Sequence, residues 1–354
     1  MSRFFSSKYE KLVPYTPGEQ PRGRKFIKLN TNESPFPPST RAISNAAEAA
    51  ERLQLYSDPE CTELRKTGAE YFGIEPEEIL FSNGSDEILN FAFMAFCDDK
   101  HPAAFPDVTY GFYSVFAELN GVPYTEIPLR PDFTVDADDY TGLGKTIFLA
   151  NPNAQTGIAL GRGEIERIAA SNPDSVVVVD EAYVDFGAES CVGLINKYNN
   201  LLVTQTFSKS RSLAGARLGM GIGCRGLIAD LNTIKYSTNP YNINSMTMAA
   251  GVGALLDNEY MLENCREIIA AREYTVTELR RLGFKATDSS ANFVLAGHPD
   301  MSGGAIYSAL REKGILVRHF DTPRLRDYNR ITIGTMSQMR TLLAALKEIT
   351  EAAK

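Results

Sequence analysis

A lysine flanked by serines, Ser208-Lys209-Ser210, follows the apolar run Leu201-Leu202-Val203 and precedes Arg217 by eight residues. A primary amine in that setting suits covalent attachment of an aldehyde as a Schiff base. Its neighbours suit an aldehyde that also carries a phosphate. Thr206 and Ser208 supply hydroxyls, and Arg217 supplies a planar fork that grips an oxyanion through two N–H donors. The small residues Ala214-Gly215-Ala216 let the backbone turn close to such a ligand. An ordinary basic loop after a strand would show the same residue types, and this stretch alone leaves that reading open.

A second run narrows the chemistry. Val176-Val177-Val178-Val179-Asp180-Glu181-Ala182-Tyr183 reads as a fully buried strand ending in an acid. In open α/β sheets, ligands bind beyond the carboxyl ends of the strands, where Asp180 falls. An acid there can pair with the ring nitrogen of pyridoxal phosphate (PLP) and keep it protonated, as that electron sink requires. Tyr183 is placed to hydrogen-bond the phenolic oxygen of the same ring. Taken singly, Asp180 reads equally well as a cap on the next helix. Asn83-Gly84-Ser85-Asp86 joins another strand to a helix whose free N–H groups and positive dipole end suit a phosphate. Gly84 permits the tight turn, Ser85 offers an N–H and a hydroxyl, and Asp86 is expected to cap the helix.

Asp180-x-x-Tyr183, Ser208-Lys209 and Arg217 together resemble the signature of PLP-dependent aminotransferases of fold type I. Six further segments, in matching order and spacing, narrow the resemblance to the histidinol-phosphate aminotransferase family over nearly the whole chain. They are Leu29 to Pro38, Tyr56-Ser57-Asp58-Pro59, Asn83 to Glu87, Thr109-Tyr110-Gly111, Asn151 to Gly157 and Arg330-Ile331-Thr332-Ile333-Gly334. The resemblance implies an α/β fold with a large PLP-binding domain, its mostly parallel seven-stranded sheet flanked by helices, and a small α+β domain. Residues 1–40 would form an N-terminal arm and part of the small domain, 41–240 the large domain, and 241–354 a long connecting helix and the small C-terminal domain.

The resemblance also implies roles for individual residues. Ser85 and Asp86 would meet the cofactor phosphate through their backbone, and Tyr110 would stack on the pyridine ring. Tyr56 would reach the phosphate site of a neighbouring subunit, making the active unit a homodimer with shared sites; Tyr241 and Asn242 would contribute from that interface. Arg330 would bind the substrate carboxylate and Arg318 the substrate phosphate, with Tyr15, Asn32 and Asn292 on the substrate side. One segment departs from the family pattern. Where an asparagine commonly precedes Pro-Thr-Gly, this chain has Ala154 and Gln155, so Asn153 becomes the expected contact to the phenolic oxygen.

The implied reaction is transamination between histidinol phosphate, as amino donor, and the 2-oxo acid 2-oxoglutarate, giving imidazole acetol phosphate and glutamate in histidine biosynthesis. Lys209 would serve as general base, its pKa lowered by desolvation and by Arg217. An aromatic aminotransferase is the nearest alternative, followed by a threonine-phosphate-type decarboxylase. A non-catalytic PLP-binding module fits poorly with the intact lysine, acid, tyrosine and arginine.

Composition and patterning are consistent with this chemistry. The 354 residues suffice for two lobes and a sizeable core, and 44% hydrophobic with 23% charged residues suits a soluble globular protein. A net charge of −8 argues against a nucleic-acid partner, so an anionic substrate needs a local cluster of arginines. Five scattered cysteines without a C-x-x-C pair suggest reduced thiols in a cytoplasmic protein, and the three histidines show no metal-ligand spacing. No run approaches the ~20 apolar residues of a membrane span, and residues 1–10 lack the apolar core of a signal peptide. Strands are expected at 79–81, 103–105, 124–127, 146–150, 175–179, 201–205 and 218–223, with helices such as 85–96 and 162–171 between them. That alternation predicts a largely parallel, helix-covered sheet. Beyond 241 the pattern changes to a long helix over about 258–282 with apolar Leu262, Ile268 and Ile269. Strands near 293–295, 315–318 and 331–334 follow, then a final helix from about 337 with Met339, Leu343 and Leu346 on one face.

Overall fold

The structure, a computed structural model, describes residues 2–352 apart from Lys11, Arg22 and Arg24. Met1 of the expected arm therefore lies outside the described residues, as do Ala353 and Lys354.

The valine run forms the middle of a seven-stranded sheet because both faces of that sheet are covered. Val178 packs with Phe93, Phe148 and Leu202 on one side, while Val177 and Val179 pack with Ile147, Leu149 and Val203 on the other. With side chains alternating between two covered faces, every position must be apolar. In space the strands run Ile79–Ser82, Gly219–Gly223, Leu201–Thr206, Val177–Asp180, Thr146–Ala150, Ala103–Pro106 and Tyr124–Ile127. All neighbours are parallel except Gly219–Gly223, which is antiparallel to both strands beside it.

That antiparallel strand sets the position of a helix. A Cβ on Gly219 would lie 2.1 Å from the Ser85 backbone nitrogen, and one on Gly221 would lie 3.0 Å from Ile88 Cγ2. Glycines there let the helix Ser85–Phe96 lie directly on the sheet. Gly219 also pairs with Thr206, so the start of the helix comes to the end of the strand that leads into Lys209.

A four-stranded antiparallel sheet carries the second group of site residues. Its order is Arg318–His319, Tyr328–Thr332, Phe293–Gly297, Lys285–Ala286, and its register sets Arg318 directly opposite Arg330. Ile27–Lys28 pairs with Ile315–Leu316, which ties the N-terminal segment to this C-terminal part of the chain. The helices Asn258–Arg281 and Met336–Ala352 pack together, burying Ile268, Met339 and Leu346. Leu262 departs from the expected face: it is solvent-exposed, and Met261 and Cys265 are buried in its stead. The helix Ser245–Leu256 was not anticipated, because its run of small and apolar residues lacks a polar stripe. It packs closely on Thr40–Ala50, where a Cβ on Gly253 would lie 2.8 Å from the Ala42 backbone.

Candidate active site

Five segments converge at the carboxyl ends of the parallel strands. Ser85, Asp86, Tyr110, Ala154, Asp180, Tyr183, Thr206, Ser208, Lys209 and Arg217 line one cleft. Lys209 is partly buried, and its amine donates to the Thr31 carbonyl at 3.2 Å. Burial first, then the charges of Arg330 and Arg217, bring its pKa down to about 8; Asp86 and Glu33 pull the other way. Asp180 lies at the end of its strand, buried, accepting from the Tyr113 hydroxyl at 3.2 Å and the Ala182 N–H at 3.2 Å. Burial pushes its pKa up to about 7, against the Tyr113 bond that favours the ionised form. Such an acid is held near its titration point until a cationic partner arrives. Tyr183 is also buried, and its hydroxyl accepts from Asn32 Nδ2 at 3.1 Å.

The same cleft gathers two hydroxyls and a guanidinium. The Thr206 and Ser208 hydroxyls are 3.0 Å apart, and Arg217 Nη1 approaches the Ser208 hydroxyl at 3.5 Å. Gly84 begins the helix at φ 82°, and a Cβ there would fall 2.5 Å from Arg217 Nη2. The bare glycine is what admits the guanidinium to the helix start. Asp86 does not cap this helix as expected. Its carboxylate accepts from the Tyr110 hydroxyl at 2.6 Å and from Arg217 Nη2 at 3.0 Å, and the capping position falls to Gly84.

A second cationic station stands nearby. Arg330 Nη1 donates to the Ala154 carbonyl at 2.8 Å and to Gln155 Oε1 at 3.2 Å, and its guanidinium lies 5.2 Å from the Phe293 ring centre and 5.4 Å from that of Phe320. Its Nε is buried without a hydrogen-bond partner. Arg318 bonds the carbonyls of Thr16 and Pro17 at 3.0 and 3.2 Å. Tyr15 stacks on Phe112 at 4.3 Å, and with Thr109, Gln155, Arg318 and Phe320 it lines an adjoining cavity. Asn32, at φ 56°, is locked by Thr332 and by Asn292, whose amide donates to the Asn32 carbonyl at 3.0 Å.

One expected contact is placed elsewhere. Asn153 is already satisfied by the backbone: Nδ2 donates to the Val108 carbonyl at 2.8 Å, and Oδ1 accepts from the N–H groups of Gln155 and Thr156 in its own loop. Ala154, with no polar side-chain group, lines the cleft instead. Tyr56 is outside this cleft, 84% exposed and stacked on Tyr241 at 4.7 Å. Sequence reasoning missed Tyr113 as the partner of Asp180 and Gln155 as a partner of Arg330. The replacement of proline by a polar residue at 155 was the one available signal for the latter.

A lysine amine, a buried acid and a cluster of hydroxyls with a guanidinium thus lie together at the ends of a mostly parallel sheet. Residues 24–346 match the family model for aminotransferase class I and II, and the chain belongs to that family. It is 48% identical to histidinol-phosphate aminotransferase 1 of Bradyrhizobium diazoefficiens, over 99% of this chain and 100% of that one. It is 46% identical to the histidinol-phosphate aminotransferase of Brachyspira hyodysenteriae, over 99% of each. In fold it matches the histidinol-phosphate aminotransferase of Sinorhizobium meliloti, solved in complex with pyridoxal-5'-phosphate. The TM-score is 0.91 at 22% identity, covering 100% of this chain and 99% of that one.

Proposed function

We propose that this chain is a PLP-dependent aminotransferase that exchanges the amino group of L-histidinol phosphate with 2-oxoglutarate, giving imidazole acetol phosphate and glutamate in histidine biosynthesis. Its full-length likeness to curated enzymes of that name supports the reading. The observation that carries it is a depressed lysine amine that shares its cleft with Arg217 and feels the charge of a second arginine, Arg330, bonded to the cleft residue Ala154. One station suits the phosphate of the cofactor, the other the anionic group of the substrate.

The residues present fit the cofactor. The glycine-lined cradle admits a phosphate, and the acid at 180 is poised for a cationic ring N–H. When bound, PLP supplies an electron sink for the charge left on the substrate carbon after proton loss. Thr206, Ser208, Arg217 and the N–H groups at the start of the Ser85 helix hold the phosphate. Asp180 retains the proton on the ring nitrogen, with Tyr113 steadying the carboxylate. Tyr183 would bond the phenolic oxygen, and Tyr110 would flank the ring. Lys209 would hold the cofactor aldehyde, and its amine, when free, would serve as the base for the substrate Cα proton. A pKa near 8 gives this base a substantial neutral fraction at neutral pH, which an ordinary lysine lacks. Arg330 would orient the anionic group borne at the substrate Cα, the α-carboxylate of glutamate or the phosphate ester that takes its place in histidinol phosphate, with Arg318, Tyr15, Asn32 and Asn292 on its flank.

The same reading includes a homodimer in which Tyr56 completes the neighbouring phosphate site. Supporting it, Ile43, Leu53, Leu55, Tyr56 and Tyr241 are exposed, and an apolar cleft lined by Pro38, Ile43, Leu213 and Met246 lies beside the Lys209 loop. It also includes the division at 40 and 240, and a cytoplasmic location in keeping with five free cysteines. Among the described residues no helix is long and apolar enough to cross a membrane. The aromatic wall of Tyr15, Phe112 and Phe320 favours one second reading, an aromatic amino acid aminotransferase.

The test is glutamate formation by the PLP-loaded protein from histidinol phosphate and 2-oxoglutarate, set against phenylalanine as donor. A higher kcat/KM for histidinol phosphate is expected, and a higher one for phenylalanine would transfer the assignment. Lys209→Ala should abolish turnover; ordinary transamination by that variant would remove Lys209 from its role.

A further inference from the structure

Arg330 is held from one edge only. Nη1 is pinned by the Ala154 carbonyl at 2.8 Å and by Gln155 Oε1 at 3.2 Å, while Nε is buried and unpartnered. A buried donor without an acceptor is costly, and a bound anion would satisfy it. The Gln155 amide cannot turn over. Its Nε2 donates to the Thr109 carbonyl at 3.1 Å, and its backbone N–H donates to Asn153 Oδ1 at 2.9 Å. Only Oε1 is left to face the guanidinium. The side chain is buried, between the cofactor cleft and the adjoining cavity. Both groups fixing Arg330 are therefore neutral carbonyl oxygens. They orient the fork without cancelling its charge, whereas a carboxylate in the same place would compete with the substrate for it.

From this we infer that Gln155 is a positioning residue that sets Arg330 for the anionic group of the substrate. The inference rests on the reading of Arg330 as the substrate-anion station. Gln155→Met keeps the length and removes the acceptor. Gln155→Glu keeps an acceptor and adds a negative charge.

The experiment compares the PLP-loaded wild type, Gln155→Met, Gln155→Glu and Arg330→Ala. It measures kcat and KM for histidinol phosphate, calorimetric binding of inorganic phosphate at constant ionic strength, and the absorption spectrum of the bound cofactor. Gln155→Met should raise KM and weaken phosphate binding about tenfold, with kcat within about twofold and the cofactor spectrum unchanged. Gln155→Glu should weaken both by a larger factor, and Arg330→Ala by at least as much. A merely structural role would lower kcat and disturb the cofactor spectrum together. Wild-type KM and phosphate binding in both Gln155 variants, alongside a raised KM in Arg330→Ala, would overturn the inference alone. An unchanged KM in Arg330→Ala would overturn the reading on which it rests and the inference with it.

Discussion

Replacing Lys209 by methionine should stabilise the cofactor-free protein at neutral pH while removing its activity. The amine titrates near 8 in the fold rather than at its ordinary 10.5, chiefly because it is buried beside Arg330. Below pH 8 the folded chain must keep a charge its surroundings disfavour; the unfolded chain keeps the same proton at no cost. The difference between the two pKa values is worth on the order of 3 kcal/mol against folding. As the pH rises from 8 to 10.5 the unfolded state binds more protons than the folded one, so stability rises and the penalty disappears. Methionine removes the penalty but also the bond to the Thr31 carbonyl, worth about 1 kcal/mol. The variant should therefore be about 2 kcal/mol more stable than the stripped wild type at pH 7, and about 1 kcal/mol less stable above pH 10.5. Urea unfolding of both proteins across that range measures this directly. A difference that stays constant from pH 7 to pH 11 would refute the depressed lysine.

Other perturbations test the positioning elements. Gly219→Ala would put a methyl group 2.1 Å from the Ser85 nitrogen and 2.4 Å from the Gly84 carbonyl carbon. Such overpacking costs about 1–3 kcal/mol, and equilibrium dialysis should show PLP affinity falling roughly tenfold or more. Tyr113→Phe removes a bond that favours ionised Asp180, so its titration should move above about 7. The pH below which cofactor is lost should rise with it, and superimposable retention profiles would count against the pairing. Ile43→Glu places a charge on the exposed apolar face and should shift sedimentation from dimer towards monomer.

The chain announces its large sheet because burial on both faces leaves no alternative to the continuous run Val176 to Val179. The helix Arg162–Ser171 is equally legible, with Ile165, Ile168 and Ala169 buried on a polar background. The helix Ser245–Leu256 is not, since Met, Ala, Gly, Val and Leu follow one another with no stripe to read. In the site, Asp180, Tyr183, Lys209 and Arg217 could be picked out because each stands at or just past a strand end, where local pattern and ligand position coincide. Their supporting contacts were hidden by separation along the chain. Asn32 meets Thr332 across 300 residues, and Gln155 meets Arg330 across 175. Asn153 is a residue of suitable chemistry whose amide is already taken, by its own loop through Oδ1 and by the distant Val108 carbonyl through Nδ2. Nothing in its neighbours' identities reveals that the amide is already satisfied.

The central claim is that one cleft serves both the cofactor and an anionic amino donor, and absorption spectroscopy of the PLP-loaded protein tests it most directly. The protein would be titrated separately with histidinol phosphate, phenylalanine and glutamate, without an oxo acid. Conversion of the bound cofactor to its aminated form by histidinol phosphate and glutamate, at far lower histidinol phosphate than phenylalanine, is the predicted result. A bound cofactor whose spectrum none of the three amines converts would contradict the account.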